Sequence, residues 1–182
     1  LTRGERTFFP AVSPDGKYVA FATISDGTHN LCLYETASGA VTKLTSFTDG
    51  RQIFKISWTP DAGELIISCT EKMYQNIASI RSDGADFRYL MDDAHDYRDP
   101  EVSPDGKYVY YSSNRTGIFN IYRLNRSTGA SELMSNVVGG AFMPSVNKEG
   151  KLLYSHYTND GYIISAIENP APVDTAHAQY RE

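Results

Sequence analysis

The sequence predicts an all-β protein assembled from about four copies of one four-stranded antiparallel sheet. Three observations carry that reading. A turn motif recurs at Ser13-Pro14-Asp15-Gly16, Thr59-Pro60-Asp61-Ala62-Gly63 and Ser103-Pro104-Asp105-Gly106, with a degraded form at Asn147-Lys148-Glu149-Gly150. Its spacing is regular: Ser13 to Thr59 is 46 residues, Thr59 to Ser103 is 44, and Gly106 to Gly150 is 44. Between the turns lie short apolar runs, and no helical periodicity is present before Pro170. A β repeat of that length is the signature of a β-propeller blade.

Each copy repeats the same order of elements. An innermost strand precedes the turn: Phe9 to Val12, Phe54 to Trp58, Pro100 to Val102, and Phe142 to Val146. A second strand follows it, at Lys17–Ala22, Glu64–Cys69, Lys107–Ser112 and Lys151–His156. Hairpin turns come next, at Ser25-Asp26-Gly27, Asn114-Arg115-Thr116-Gly117 and Thr158-Asn159-Asp160-Gly161, where Gly, Asn and Asp supply the positive φ that tight turns need. The second copy lacks that glycine, and Glu71-Lys72-Met73 is the weaker candidate for its turn. Third strands open with an Asn and an aliphatic residue at Asn30-Leu31, Asn76-Ile77 and Asn120-Ile121; the fourth copy has Tyr162-Ile163 instead. Outer strands close three copies, at Val41–Thr45, Phe87–Met91 and Ser131–Met134.

A lone four-stranded sheet of about 40 residues buries too little apolar surface to fold by itself. The second strands are apolar on successive residues, as in Val19-Ala20-Phe21 and Val109-Tyr110-Tyr111, which suits a sheet covered on both faces. At roughly 25 cal/mol per Å² of buried apolar surface, each sheet-to-sheet contact contributes several kcal/mol. The 13 tyrosines fit this role, burying a ring while leaving the hydroxyl at a wet edge.

Ser-Pro-Asp-Gly-Lys followed by an apolar strand resembles the TolB-like β-propeller repeat, or WD-like Pro-Asp repeat. Copy three carries the resemblance best, through Ser103-Pro104-Asp105-Gly106-Lys107, Ser113-Asn114-Arg115-Thr116-Gly117 and Asn120-Ile121-Tyr122-Arg123. Copy two keeps Pro60 and Asp61 but inserts Ala62; copy four has lost the motif and kept the spacing. The resemblance implies propeller blades over residues 1–168, at about 3–45, 46–91, 92–135 and 136–168, with 169–182 a linker or tail. It also implies a part of a larger propeller, since the family usually closes with more than four blades. The other reading is closure of a four-bladed ring by Leu1-Thr2-Arg3 pairing onto blade four.

Composition narrows the partners. With 17 basic and 22 acidic residues and a net charge of −5, nothing concentrates positive charge, so nucleic acid is not an expected partner. No apolar run is long enough for a membrane span. Cys32 and Cys69 lie on apolar strands and read as buried free thiols, with a disulfide between neighbouring blades as the alternative.

No constellation for catalysis, cofactor binding or metal binding is expected. There is no Gly-x-Ser-x-Gly elbow and no glycine-rich phosphate loop, and His29, His95, His156 and His177 are scattered. The Asp of each Pro-Asp-Gly turn reads as turn chemistry. One polar run remains, Asp92-Asp93-Ala94-His95-Asp96-Tyr97-Arg98-Asp99, joining blades two and three. It reads either as a cation or ligand site or as a solvated connector whose Asp residues cap local turns. His95, Tyr97 and Arg98 are its candidate partner-binding residues. Aromatics of the inner strands (Phe8, Phe9, Phe54, Trp58, Tyr97 and Phe142) read mostly as packing, with one or two at a recognition edge.

The family resemblance implies a non-catalytic scaffold or module binding a protein or peptide, in the periplasm or cell envelope. The alternative is the substrate-gating propeller of a prolyl oligopeptidase-like or tricorn-like peptidase whose catalytic residues lie elsewhere.

Overall fold

The computed structural model describes residue 4, residues 6–71 and residues 73–174. Leu1-Thr2-Arg3, Lys72 of the weaker turn, and the tail from Thr175 onward with His177 lie outside the described residues. All regular structure among the described residues is antiparallel strand, and the fold is an all-β propeller arrangement of sheets. Contacts divide the chain into two compact units, one ending at Asp92 and the other starting at Asp93.

The first unit holds two four-stranded sheets. One is β1 (Thr7–Val12), β2 (Tyr18–Ser25), β3 (Thr28–Glu35) and β4 (Val41–Lys43); the other is β5 (Ile53–Trp58), β6 (Glu64–Glu71), β7 (Tyr74–Arg81) and β8 (Arg88–Tyr89). Each runs in sequence order. Residues paired across an antiparallel ladder share a face, so Ala20 with Leu33 and Ala22 with Leu31 make one apolar side of the first sheet. That side packs on Ile53, Ile56, Trp58, Leu65 and Ile67 of the second sheet. Trp58 adds direction, its Nε1 donating to the Ala11 carbonyl at 3.0 Å. Cys32 and Cys69 are both buried thiols, outside any disulfide.

The second unit holds a four-stranded sheet of β9 (Tyr97–Val102), β10 (Tyr108–Ser113), β11 (Asn120–Asn125) and β12 (Ser131–Leu133). Its partner has three strands: β13 (Ala141–Val146), β14 (Leu152–Thr158) and β15 (Gly161–Ile167). They meet through Tyr110, Ile121 and Met134 on one side and Ala141, Leu152 and Tyr154 on the other. The inner strand β9 starts at Tyr97, earlier than the sequence predicts, because Tyr97 and Arg98 pair with Ser113 and Ser112.

The recurring turn is a small hydrogen-bonded device. Ser13 Oγ donates to Asp15 Oδ1 at 2.7 Å and accepts from Tyr18 N at 2.9 Å, while Lys17 N donates to Asp15 Oδ1 at 3.1 Å. Ser103 and Asp105 repeat this with the same distances to Tyr108 N and Lys107 N. The hydrogen bond from Ser13 and then that from the Lys17 amide pull the Asp15 pKa down to about 2. In the second copy Ala62 is a replacement and not an insertion. Glu64 N donates to Thr59 Oγ1 at 2.9 Å across the same five-residue span, and Ala62 takes φ 58° where Gly16 takes 71°. A non-glycine residue there costs about 1 kcal/mol, and the intact hydrogen bonds hold it in place.

The asparagine that opens each third strand has a physical purpose. Asn30 Oδ1 accepts from Thr45 Oγ1 at 3.0 Å and from Phe47 N at 2.6 Å, and Thr45 Oγ1 accepts from Leu31 N at 2.8 Å. Asn120, Ser135, Val137 and Ile121 form the same clamp, with Ser135 Oγ 3.0 Å and Val137 N 2.9 Å from the amide oxygen. The clamp fixes the chain as it leaves the outer strand. In the second copy the hydroxyl position is Met91, whose N–H donates to Ile77 O at 3.3 Å as Ser135 N does to Ile121 O. Asn76 is 3% exposed, and its Oδ1 has no hydrogen-bond partner among the described residues. A buried acceptor left unpaired costs about 1–3 kcal/mol. Met91→Thr should therefore stabilise the chain by about 1 kcal/mol, measured by denaturant unfolding, and a neutral or destabilising effect would contradict the clamp.

Candidate functional site

The polar connector enters the second unit at Asp93 and becomes β9 at Tyr97. Of the three residues the sequence singles out, Tyr97 is 1% exposed, whereas His95 and Arg98 are partly exposed. The Tyr97 ring packs on Tyr111, centroids 5.7 Å apart, and its hydroxyl donates to the Asp93 carboxylate, 2.7 and 2.8 Å from the two oxygens. His95 Nδ1 stands 2.9 Å from the same carboxylate. Asp93 thus joins a buried anchor to a surface imidazole.

Arg98 is held separately. Its Nη2 donates to Asp96 Oδ2 at 2.8 Å, and its guanidinium lies 4.7 Å from the Phe119 ring centroid. The Asp96 amide donates to Asn114 Oδ1 at 3.0 Å, tying the connector to the loop between β10 and β11. Arg98 Nε is buried and has no partner among the described residues. Arg115 lies near this group, 5.5 Å from the Tyr122 ring centroid, with Nη1 3.4 Å from Ser131 Oγ. The connector therefore presents an imidazole and a guanidinium on a backbone tied down at both ends. Within the described residues no group of three or more His, Cys, Asp or Glu could hold a metal ion, and Asp93 is already engaged by Tyr97 and His95.

The electrostatics follow from these contacts. Burial raises the Asp93 pKa, but the hydrogen bonds from Tyr97 and His95 outweigh it and hold the carboxyl below its ordinary value. Burial and then the bond to Asp93 push the Tyr97 phenol well above its usual range. Burial takes Tyr111, which also bonds Ser131, to about 12.

Sequence reasoning missed a feature of the inner strands. Phe9, Asp99 and Met143 take φ of 54°, 54° and 52°, and each precedes a proline. At each of these points the strand carries one residue more than its partner, a β-bulge. Proline has no N–H to lose where the ladder is interrupted, so the X-Pro pair is suited to the bulge. The recurrence of Phe9-Pro10, Asp99-Pro100 and Met143-Pro144 within three inner strands was the available signal. The bulge turns the Asp99 carboxylate toward the neighbouring sheet, where Oδ2 accepts from Met143 N at 3.3 Å; within its own sheet it accepts from Ser112 Oγ at 3.4 Å. The inner-strand aromatics divide as well: Trp58 and Tyr97 are buried, while Phe8, Phe9 and Phe54 are exposed.

With this geometry in place, comparison with known proteins identifies the family. The sequence matches the TolB beta propeller domain over residues 2–174. The chain belongs to that family. A curated Agrobacterium fabrum protein, described as uncharacterized, is 23% identical over 151 residues, covering 82% of this chain and 50% of its own. Among solved structures, TolB from Acinetobacter baumannii superposes with a TM-score of 0.75 at 18% identity, covering 96% of this chain and 46% of that one. A puromycin-hydrolyzing peptidase from Mycobacterium tuberculosis also gives a TM-score of 0.75, at 12% identity, over 92% of this chain and 28% of that one. The chain spans about half the length of the curated relative and of the TolB structure. At these identities the structural likeness shows the shared propeller fold. No helix among the described residues is long and apolar enough to cross a membrane.

Tyr97→Phe keeps the ring and removes the donor to Asp93. The Asp93 pKa should rise toward its ordinary value in an NMR titration, at a stability cost of about 1 kcal/mol near neutral pH. Because Asp93 titrates lower in the folded chain, its contribution is present above the unfolded pKa and is lost as pH falls through the folded one. The variant should lose part of that acid dependence. An unchanged Asp93 titration would contradict the anchor.

Proposed function

We propose that this TolB-family chain is a non-catalytic scaffold that binds a protein or peptide partner, in the periplasm or cell envelope. The observation that carries the reading is the connector, where the anchor between Tyr97 and Asp93 holds His95, and Asp96 with the Phe119 ring holds Arg98. A loop fixed this way keeps its polar groups oriented before a partner arrives, which lowers the entropic cost of binding. Tyr97 acts in this reading as a positioning residue beneath the surface, and His95 and Arg98 make the contact.

A second reading rests on the likeness to the peptidase structure: a propeller portion that gates substrate for a catalytic domain elsewhere in the polypeptide. A Gly-x-Ser-x-Gly elbow with downstream Asp and His, encoded after Glu182, would favour it.

A photo-crosslinking residue at position 95, in the full-length protein in its native envelope, tests the scaffold reading. A discrete protein adduct is expected there and not at Val41, an exposed position on β4. His95→Ala with Arg98→Ala should then weaken binding of that partner about tenfold, or ~1.4 kcal/mol, with little change in melting temperature. Unchanged affinity, or no adduct at position 95, removes the connector from the binding surface.

A further inference from the structure

Beyond Ile167 the chain returns to the four-stranded sheet of the second unit. Val173 N donates to Leu133 O at 2.8 Å. Leu133 belongs to β12, the outer edge of the sheet ordered β12-β11-β10-β9. Before reaching that edge, Pro170 and Ala171 line one side of a cleft of about 560 Å³, with Tyr108, Tyr110 and Arg123 also in its lining. Arg123 is fixed there by Glu132 at 2.7 Å and by the Tyr108 ring, 4.7 Å from its guanidinium. The segment Pro170–Val173 is thus a strap docked on the sheet.

The strap's sequence matches this role. The Val173 donor faces β12, while positions 170 and 172 are both proline and carry no N–H. The strap can donate to the edge but offers no N–H at those positions for a further strand, which is how edge strands are protected from unwanted pairing. Tyrosine-lined grooves also suit proline-containing segments, whose restricted backbone loses little entropy on docking.

We propose that the outer edge of the β9–β12 sheet at Leu133, with the adjoining Tyr108 and Arg123 wall, is a docking groove for extended proline-containing segments. The strap Pro170–Val173 is its occupant in cis. A partner segment of the same chemistry competes for the edge when the strap is released. This surface is separate from the connector at His95 and does not depend on the role assigned there.

The test uses the whole chain and a labelled peptide of sequence Asn-Pro-Ala-Pro-Val-Asp. In the wild-type chain the Val173 amide should exchange with deuterium at least about tenfold more slowly than in the free peptide. This readout needs no variant. Val173→Pro removes the donor and frees the groove, so the labelled peptide should bind that variant about tenfold more tightly than the wild type. Unchanged exchange protection of β10 and β11 would show that the variant folds. A peptide with Pro in place of its Val should not bind. Free-peptide exchange at Val173, equal or absent binding to the two chains, or binding of the Pro-substituted peptide would each overturn the proposal.

Discussion

The burial of one sheet face against the next is the constraint on which the rest of the molecule depends. A sheet of some forty residues has too little apolar surface of its own to offset the entropy of ordering its chain. In the first unit, Ala20, Ala22, Leu31 and Leu33 are covered by Ile53, Ile56, Trp58, Leu65 and Ile67 of the second sheet. Fully burying a Leu or Ile contributes roughly 1.5–3 kcal/mol, so a few such side chains decide whether either sheet is populated. The second unit repeats the arrangement through Ile121, Met134, Leu152 and Tyr154. Tight turns and edge hydrogen bonds set register; the shared core supplies the stability.

The proposed functions draw on the places where this repetition is relaxed. The clamp at Asn30 and Asn120 fixes the chain where it leaves the outer strand, through a hydroxyl at Thr45 or Ser135. Met91 cannot take that part, and Asn76 is left with a buried, unpaired oxygen. The connector that follows carries its own fastening instead, from Asp93 to Tyr97 and from Asp96 to Asn114. The charged, partly exposed residues that replace the standard fastening there are the ones proposed above for recognition. The strap is fastened at the outer edge of the β9–β12 sheet, where Val173 donates to Leu133 and Pro170 and Pro172 carry no N–H.

Much of this was legible before any coordinates. Pro-Asp-Gly turns, Asp-Gly and Asn-Asp hairpins and the opening asparagines mark positions where local backbone chemistry leaves few choices, and the strands fall between them. Tertiary features were harder to read. The sequence lets Tyr97 stand both as a candidate contact and as an inner-strand packing aromatic, and its pairing with Ser113 puts the ring against Tyr111. Ala62 looked inserted because alanine seldom takes a left-handed backbone; the hydrogen bonds show that it does so here. The X-Pro bulges escaped notice because proline in a strand ordinarily argues against a strand. Val173 sits in a segment whose composition reads as a linker, and only its bond to Leu133 shows that it is docked.

The central claim is that adjoining sheets are stable only together, and the single tryptophan makes it measurable. Trp58 belongs to β5 in the second sheet, whereas Leu31 belongs to β3 in the first. Leu31→Ala should cost about 2–5 kcal/mol and lower the denaturant midpoint reported by Trp58 fluorescence, although the substitution lies in the other sheet. A Trp58 transition left in place while only the β1–β4 amides lose exchange protection would show that each sheet stands alone, contrary to this account.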